Sequence, residues 1–76
     1  MISDLQRVVL DIERQWWRDE GRKDGAILTR TGLSPTRYYA LVNRMLDDPE
    51  VLAADPQLVG RLRRVRDARR ARRVAA

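Results

Sequence analysis

The 76-residue sequence contains no cysteine, no histidine and no phenylalanine, and its one lysine is Lys23. Without cysteine there are no disulfides and no thiolate metal sites, and without histidine there is no imidazole acid–base chemistry. Such a chain suits a reducing cytoplasm, and a cytoplasmic location is expected. No apolar run approaches the ~20 residues of a membrane span. The opening MISDLQRVV lacks the charged-then-apolar order of a signal peptide, so no membrane partner is expected. Ser3 and Ser34 are the two serines, and both are better explained as helix caps than as nucleophiles. The carboxylates are scattered, and no P-loop, dinucleotide-binding glycine pattern or metal-ligand spacing occurs. The expectation is a protein that is not an enzyme, with no cofactor and no metal.

What the chain has in quantity is arginine, unevenly placed. Residues 1–56 hold eight Lys/Arg against ten Asp/Glu, a net of −2. Residues 57–76 hold eight arginines against Asp67, a net of +7, and the two parts give the total of +5. Arginine binds phosphate through a planar fork, and charge concentrated at one end of a chain points to a polyanionic partner.

The periodicity is helical throughout, with no strand-like alternation, repeat or Gly/Ser linker. Ser3 and Gln6 form a capping box that starts a first helix at Asp4. Leu5, Val8, Val9, Ile12 and Trp16 continue its apolar stripe, which places the end near Asp19 or Glu20, before Gly21. Trp16 then faces the core and Trp17 shields a rim. Paired tryptophans can stack bases, but in a chain without phenylalanine a core role is the better reading. A second helix is expected over Arg22–Thr31, with Arg22 and Lys23 in its first turn against the helix dipole, a placement that suits phosphate contact.

The centre of the sequence is Ile27 to Leu46, ILTRTGLSPTRYYALVNRML, which reads as helix, tight turn, helix. Gly32 sits where a helix ends in a left-handed residue, Ser34 caps the next helix, and Pro35 takes its first position. Tyr38, Leu41, Val42 and Met45 make one apolar stripe at helical spacing. Thr36, Arg37, Tyr39, Ala40, Asn43 and Arg44 occupy the other face, the composition a recognition helix needs in a major groove. A polar outer face is also what any small helical domain shows.

Two Asp-Pro pairs follow, Asp48-Pro49 and Asp55-Pro56, each an N-cap with a first-turn proline. They open a short helix over Glu50–Ala54 and a long one from Gln57 to about Arg73. In the long helix Leu58, Leu62 and Val65 point inward, flanked by Val59 and Gly60. Beyond Val65 arginines appear on every face, so residues 66–76 are expected to project from a domain of residues 1–65 as an arginine-rich extension. The fold class expected is all-α, a small bundle of about five helices with a central helix-turn-helix and a basic C-terminal helix.

ERQWW at Glu13 to Trp17, GLSPTRYY at Gly32 to Tyr39 and ADPQLVGRLRRVRDARRARR at Ala54 to Arg73 together resemble a family of short actinobacterial proteins grouped as a domain of unknown function. The resemblance covers nearly the whole chain and implies a cytoplasmic, bacterial, DNA-associated protein. The helix-turn-helix half also looks like those of small transcription regulators and of the promoter-reading region of sigma factors.

The function expected is binding of double-stranded DNA, as a small transcriptional regulator or nucleoid-type accessory factor. Thr36, Arg37, Tyr39, Asn43 and Arg44 would face the groove, where Asn pairs with adenine and Arg with guanine. Arg22 and Lys23 would touch backbone, and Arg63, Arg66, Arg69, Arg70, Arg72 and Arg73 would contact phosphates. Two other classes fit the same residues. One is an RNA- or ribosome-associated protein that binds through the arginine helix. The other is an adaptor docking on the transcription machinery, RNA polymerase for example, anchored by Trp17 and Tyr39.

Overall fold

A computed structural model describes residues 1–75 of the chain; Ala76, the end of the expected extension, lies outside the described residues. Five helices follow one another: α1 Asp4–Arg14, α2 Glu20–Thr31, α3 Pro35–Met45, α4 Pro49–Ala54 and α5 Pro56–Ala75. Among the described residues there is no strand, and the fold is an all-α bundle.

Local chemistry starts most of these helices. The Ser3 hydroxyl accepts from the Gln6 amide while the Gln6 side-chain oxygen accepts from the Ser3 amide, a complete capping box for α1. Ser34 accepts from the Arg37 amide with Pro35 in the first turn of α3. Asp48 accepts from the Glu50 amide to open α4, and Asp55 from the Leu58 amide to open α5. Gly32 closes α2 at φ 73°, the left-handed conformation that a Cβ would strain. Thr31 buckles the same turn: its hydroxyl donates to the Ile27 carbonyl and accepts from the Leu33 amide.

The first helix ends earlier than its apolar spacing predicts. It stops at Arg14, and Gln15 is already extended at φ −81°, ψ 150°. The two tryptophans therefore exchange the places expected of them. Trp16 is 84% exposed, whereas Trp17 packs against the core and donates its indole N–H to the Ile12 carbonyl at 2.9 Å. The same carbonyl accepts the Gln15 amide that closes the helix, so the buried indole anchors at the point where α1 ends. Gly21 is not a terminator but part of the first turn of α2, which is capped by Asp19 through the Arg22 amide. With the start moved to Glu20, the first turn carries an acid beside Arg22, and the Asp19 cap and Glu20 offset the expected conflict of Arg22 and Lys23 with the helix dipole.

The core gathers one stripe from each element: Val9, Leu10 and Ile12 of α1, Ile27 of α2, Tyr38, Val42 and Met45 of α3, Val51 of α4, and Leu58 and Val59 of α5. Tyr38 is fully enclosed at its centre. Leu41, Leu52 and Leu62 are partly buried against this cluster, while Val65, expected inward, is 44% exposed. Val59, expected only to flank the stripe, is completely buried. Ion pairs brace the outside: Arg30 of α2 reaches Asp11 of α1 at 2.8 Å, and Arg14 of α1 reaches Asp55 at 2.9 Å. The Arg30 hydrogen bond holds the Asp11 carboxyl below its ordinary pKa, and the Arg14 bond does the same for Asp55, helped by the Leu58 amide. Among the described residues no helix is long and apolar enough to cross a membrane.

Candidate nucleic-acid interface

The helix α3 presents two polar surfaces. Its stripe of Tyr38, Val42 and Met45 is buried, which turns Thr36, Arg37, Ala40 and Arg44 outward into solvent. Tyr39 and Asn43 lie a quarter-turn away and line a groove whose other side is α5. Arg37 and Arg44 make no ion pair with a described residue. Their guanidiniums are available to a partner.

Behind this face a polar cluster fixes the rotation of α3. The Tyr38 hydroxyl donates to Glu13 Oε2 at 2.5 Å, and Lys23 Nζ meets the same oxygen at 2.8 Å. The Glu13 side chain is only 7% exposed, so the charge is shielded from water and held by two donors. Burial and the Glu13 bond together push the Tyr38 hydroxyl far above the ordinary tyrosine pKa. For Lys23, burial works to lower the pKa, but the Glu13 carboxylate, with Tyr39 beside it, outweighs burial and leaves it raised. Lys23 also stands over the Tyr39 ring, 5.2 Å from its centroid, and Tyr39 meets Tyr38 edge-on at 5.0 Å. Glu13 thus ties α1, α2 and α3 at one point.

The thirteen residues expected at a nucleic-acid surface are not equally available. Three of them are occupied within the fold. Lys23 is paired with Glu13 and largely covered, which takes it away from the backbone contact expected of it. Arg63 donates Nε to the Leu46 carbonyl and so caps the C-terminus of α3. Arg66 is 15% exposed between Asp47 at 3.1 Å and Asp67 at 3.3 Å; burial would lower its pKa, but both carboxylates raise it. Arg22 pairs with Asp19 at 3.6 Å but stays exposed beside the start of α2. Thr36, Arg37 and Arg44 face outward, and Tyr39 and Asn43 share their groove with Arg69, Arg70 and Arg73. Arg72 is exposed and does not line that groove.

The C-terminal arginines are also better ordered than the expected spray on every face. Leu62, Val65, Arg66, Arg69, Arg70 and Arg73 recur at i, i+3, i+4, i+7, i+8 and i+11, one stripe of α5 that turns from apolar to basic and lines the groove along its length. The helix runs unbroken through residue 65, and packing continues to Arg66.

Sequence reasoning missed Glu13, because nothing local marks it: its partners lie 10 and 25 positions away. It also missed Asp19 as a cap, although Asp-Glu before Gly21 is an N-terminal signature. Gly21 marks the start of the second helix, not the end of the first. Among the described residues no three metal-ligating side chains gather.

No curated protein and no solved structure matches the chain. A family model does, over residues 1–74: the family described as "Protein of unknown function (DUF3263)". With all but its last two residues inside that match, the chain belongs to this family.

Proposed function

We propose that the protein binds double-stranded DNA as a small transcriptional regulator or nucleoid-type accessory factor, with α3 as the reading helix and α5 as a phosphate-contacting arm. The observation that carries this reading is the pairing of two features that meet along the Tyr39 and Asn43 edge of α3. A helix-turn-helix presents Thr36, Arg37, Asn43 and Arg44 on an exposed face, and beside it stands a row of unpaired arginines, Arg69, Arg70 and Arg73. Arg and Asn read base edges, and arginines in a row neutralise phosphates. Arg22 adds a backbone contact at the start of α2. The Glu13 cluster fixes the rotation of α3, so the outward side chains are presented by a rigid element.

Competition binding tests the proposal, using labelled duplex selected from a random pool against bulk random duplex and structured RNA. Duplex affinity should fall with salt, each neutralised phosphate adding about −0.9 to the slope of log K against log salt. The pair Arg37→Ala with Asn43→Ala should bind many duplexes alike with the slope little changed. A slope near zero would remove the electrostatic basis of the reading. Preference for structured RNA over every duplex would instead assign the arginine helix to RNA.

A further inference from the structure

The groove between α3 and the C-terminal half of α5 has a volume of about 640 Å³ and a composition that a nucleic acid alone does not explain. Its floor is apolar: Val42 of α3 and Leu46 just past its end, with Leu62 and the 44%-exposed Val65 from α5. One wall carries Arg69, Arg70 and Arg73. At the other, at the start of α2, stand Glu20 and Asp24. None of these five charged groups makes an ion pair with a described residue, so two walls of opposite sign face each other unneutralised across an apolar floor. A phosphate backbone lying in the groove would be drawn to the arginines and repelled by the carboxylates. A small anion would leave the floor uncovered.

We propose that this groove docks an amphipathic helix of a partner protein, one whose apolar stripe is edged by carboxylates on one side and by cations on the other. Its apolar residues cover Leu62 and Val65, its carboxylates meet Arg69, Arg70 and Arg73, and its cations meet Glu20 and Asp24. The 11 residues of α3 give the groove a length of roughly 16 Å, three turns of a bound helix. A second copy of this chain does not offer such a segment. The acids of α1 flank a stripe already buried in the core, and α5 holds Asp67 as its one acid among eight arginines. The net charge of +5 also opposes self-association through a basic groove. Because the outer arginines would serve both duplex and helix, the two partners compete.

The test uses the full chain and three stapled 14-residue helical peptides: a leucine stripe edged by glutamates and lysines, the same composition scrambled, and the same stripe with lysines on both edges. Fluorescence anisotropy should show binding of the first peptide, at least about tenfold tighter than either control, the scale of a single interface anchor. Amide shifts should map to Val42, Asn43, Leu62 and Val65. Val65→Asp should abolish peptide binding and leave duplex binding intact, with Val65→Ser as the milder variant if circular dichroism shows the first unfolded. Arg70→Glu with Arg73→Glu should weaken the first peptide and favour the lysine-edged one, since both walls are then acidic. No binding by the first peptide, equal binding of the scrambled one, shifts confined to Thr36, Arg37 and Arg44, or a dimer with the groove filled would each overturn the proposal. The peptide arm is independent of DNA: loss of duplex affinity with peptide binding retained removes the DNA reading alone.

Discussion

Replacing Tyr38 tests the rotation of α3 on which the interface depends. The side chain is fully enclosed, in contact with the core, and its hydroxyl is bonded to Glu13. Truncating a large buried aromatic costs about 3–5 kcal/mol. A domain of this length has a total stability of roughly 4–11 kcal/mol at ~0.05–0.15 kcal/mol per residue. Tyr38→Ala should therefore stand close to unfolding. Tyr38→Phe keeps the ring and loses one hydrogen bond to a charged group, about 1.5 kcal/mol, because Glu13 still holds Lys23. Tyr39 is 40% exposed and contributes an edge contact and a cation–π contact, so Tyr39→Ala should cost about 1–1.5 kcal/mol. Urea denaturation followed by circular dichroism gives all three, with melting shifts of about 4–8 °C per kcal/mol as a check. If Tyr39→Ala loses as much as Tyr38→Ala, or Tyr38→Ala loses under about 2 kcal/mol, α3 is rotated from the orientation described and the outward face is a different set of residues.

Gly32→Ala should destabilise by about 1–2 kcal/mol in the same assay, because the left-handed backbone at φ 73° strains any Cβ although no atom stands in its way. Asp11 and Asp55 have carboxyl pKa values held below the ordinary 3.8 by arginine partners, so their contribution is present above about pH 4 and is lost as pH falls through the lowered values. Asp55→Asn should accordingly flatten the acid limb of a stability–pH curve and lower the plateau above it. Deleting residues 69–76 should leave the fold intact, since Arg66 still pairs with Asp47, while duplex affinity drops and the salt slope flattens with any sequence preference retained. If that truncation abolishes preference, and Arg37→Ala with Asn43→Ala keeps it, α5 is the reader.

The starts of α1, α3, α4 and α5 and the central turn are legible in the residue order because the interactions that make them are local. Ser3 with Gln6, Ser34 with Arg37, Asp48 with Glu50 and Asp55 with Leu58 all act within three positions, and Gly32 is dictated by its own backbone angle. The all-α class and the inward face of α3 follow from spacing alone. Tertiary structure decided which tryptophan is buried, since the indole of Trp17 reaches its carbonyl only once the chain has left the helix at Arg14. It also decided which cations remain available. Lys23, Arg63 and Arg66 look like their neighbours in the sequence, but each finds an acceptor 10 to 19 positions away. A charge pattern counts cations without showing which of them the fold has already paired, and the helical spacing that puts Arg66, Arg69, Arg70 and Arg73 on one stripe could not show that the stripe lies opposite α3 and α2. That depends on how α5 is set against its neighbours, through contacts such as Arg63 to the end of α3 and Arg66 to Asp47, which form only when distant parts of the chain meet.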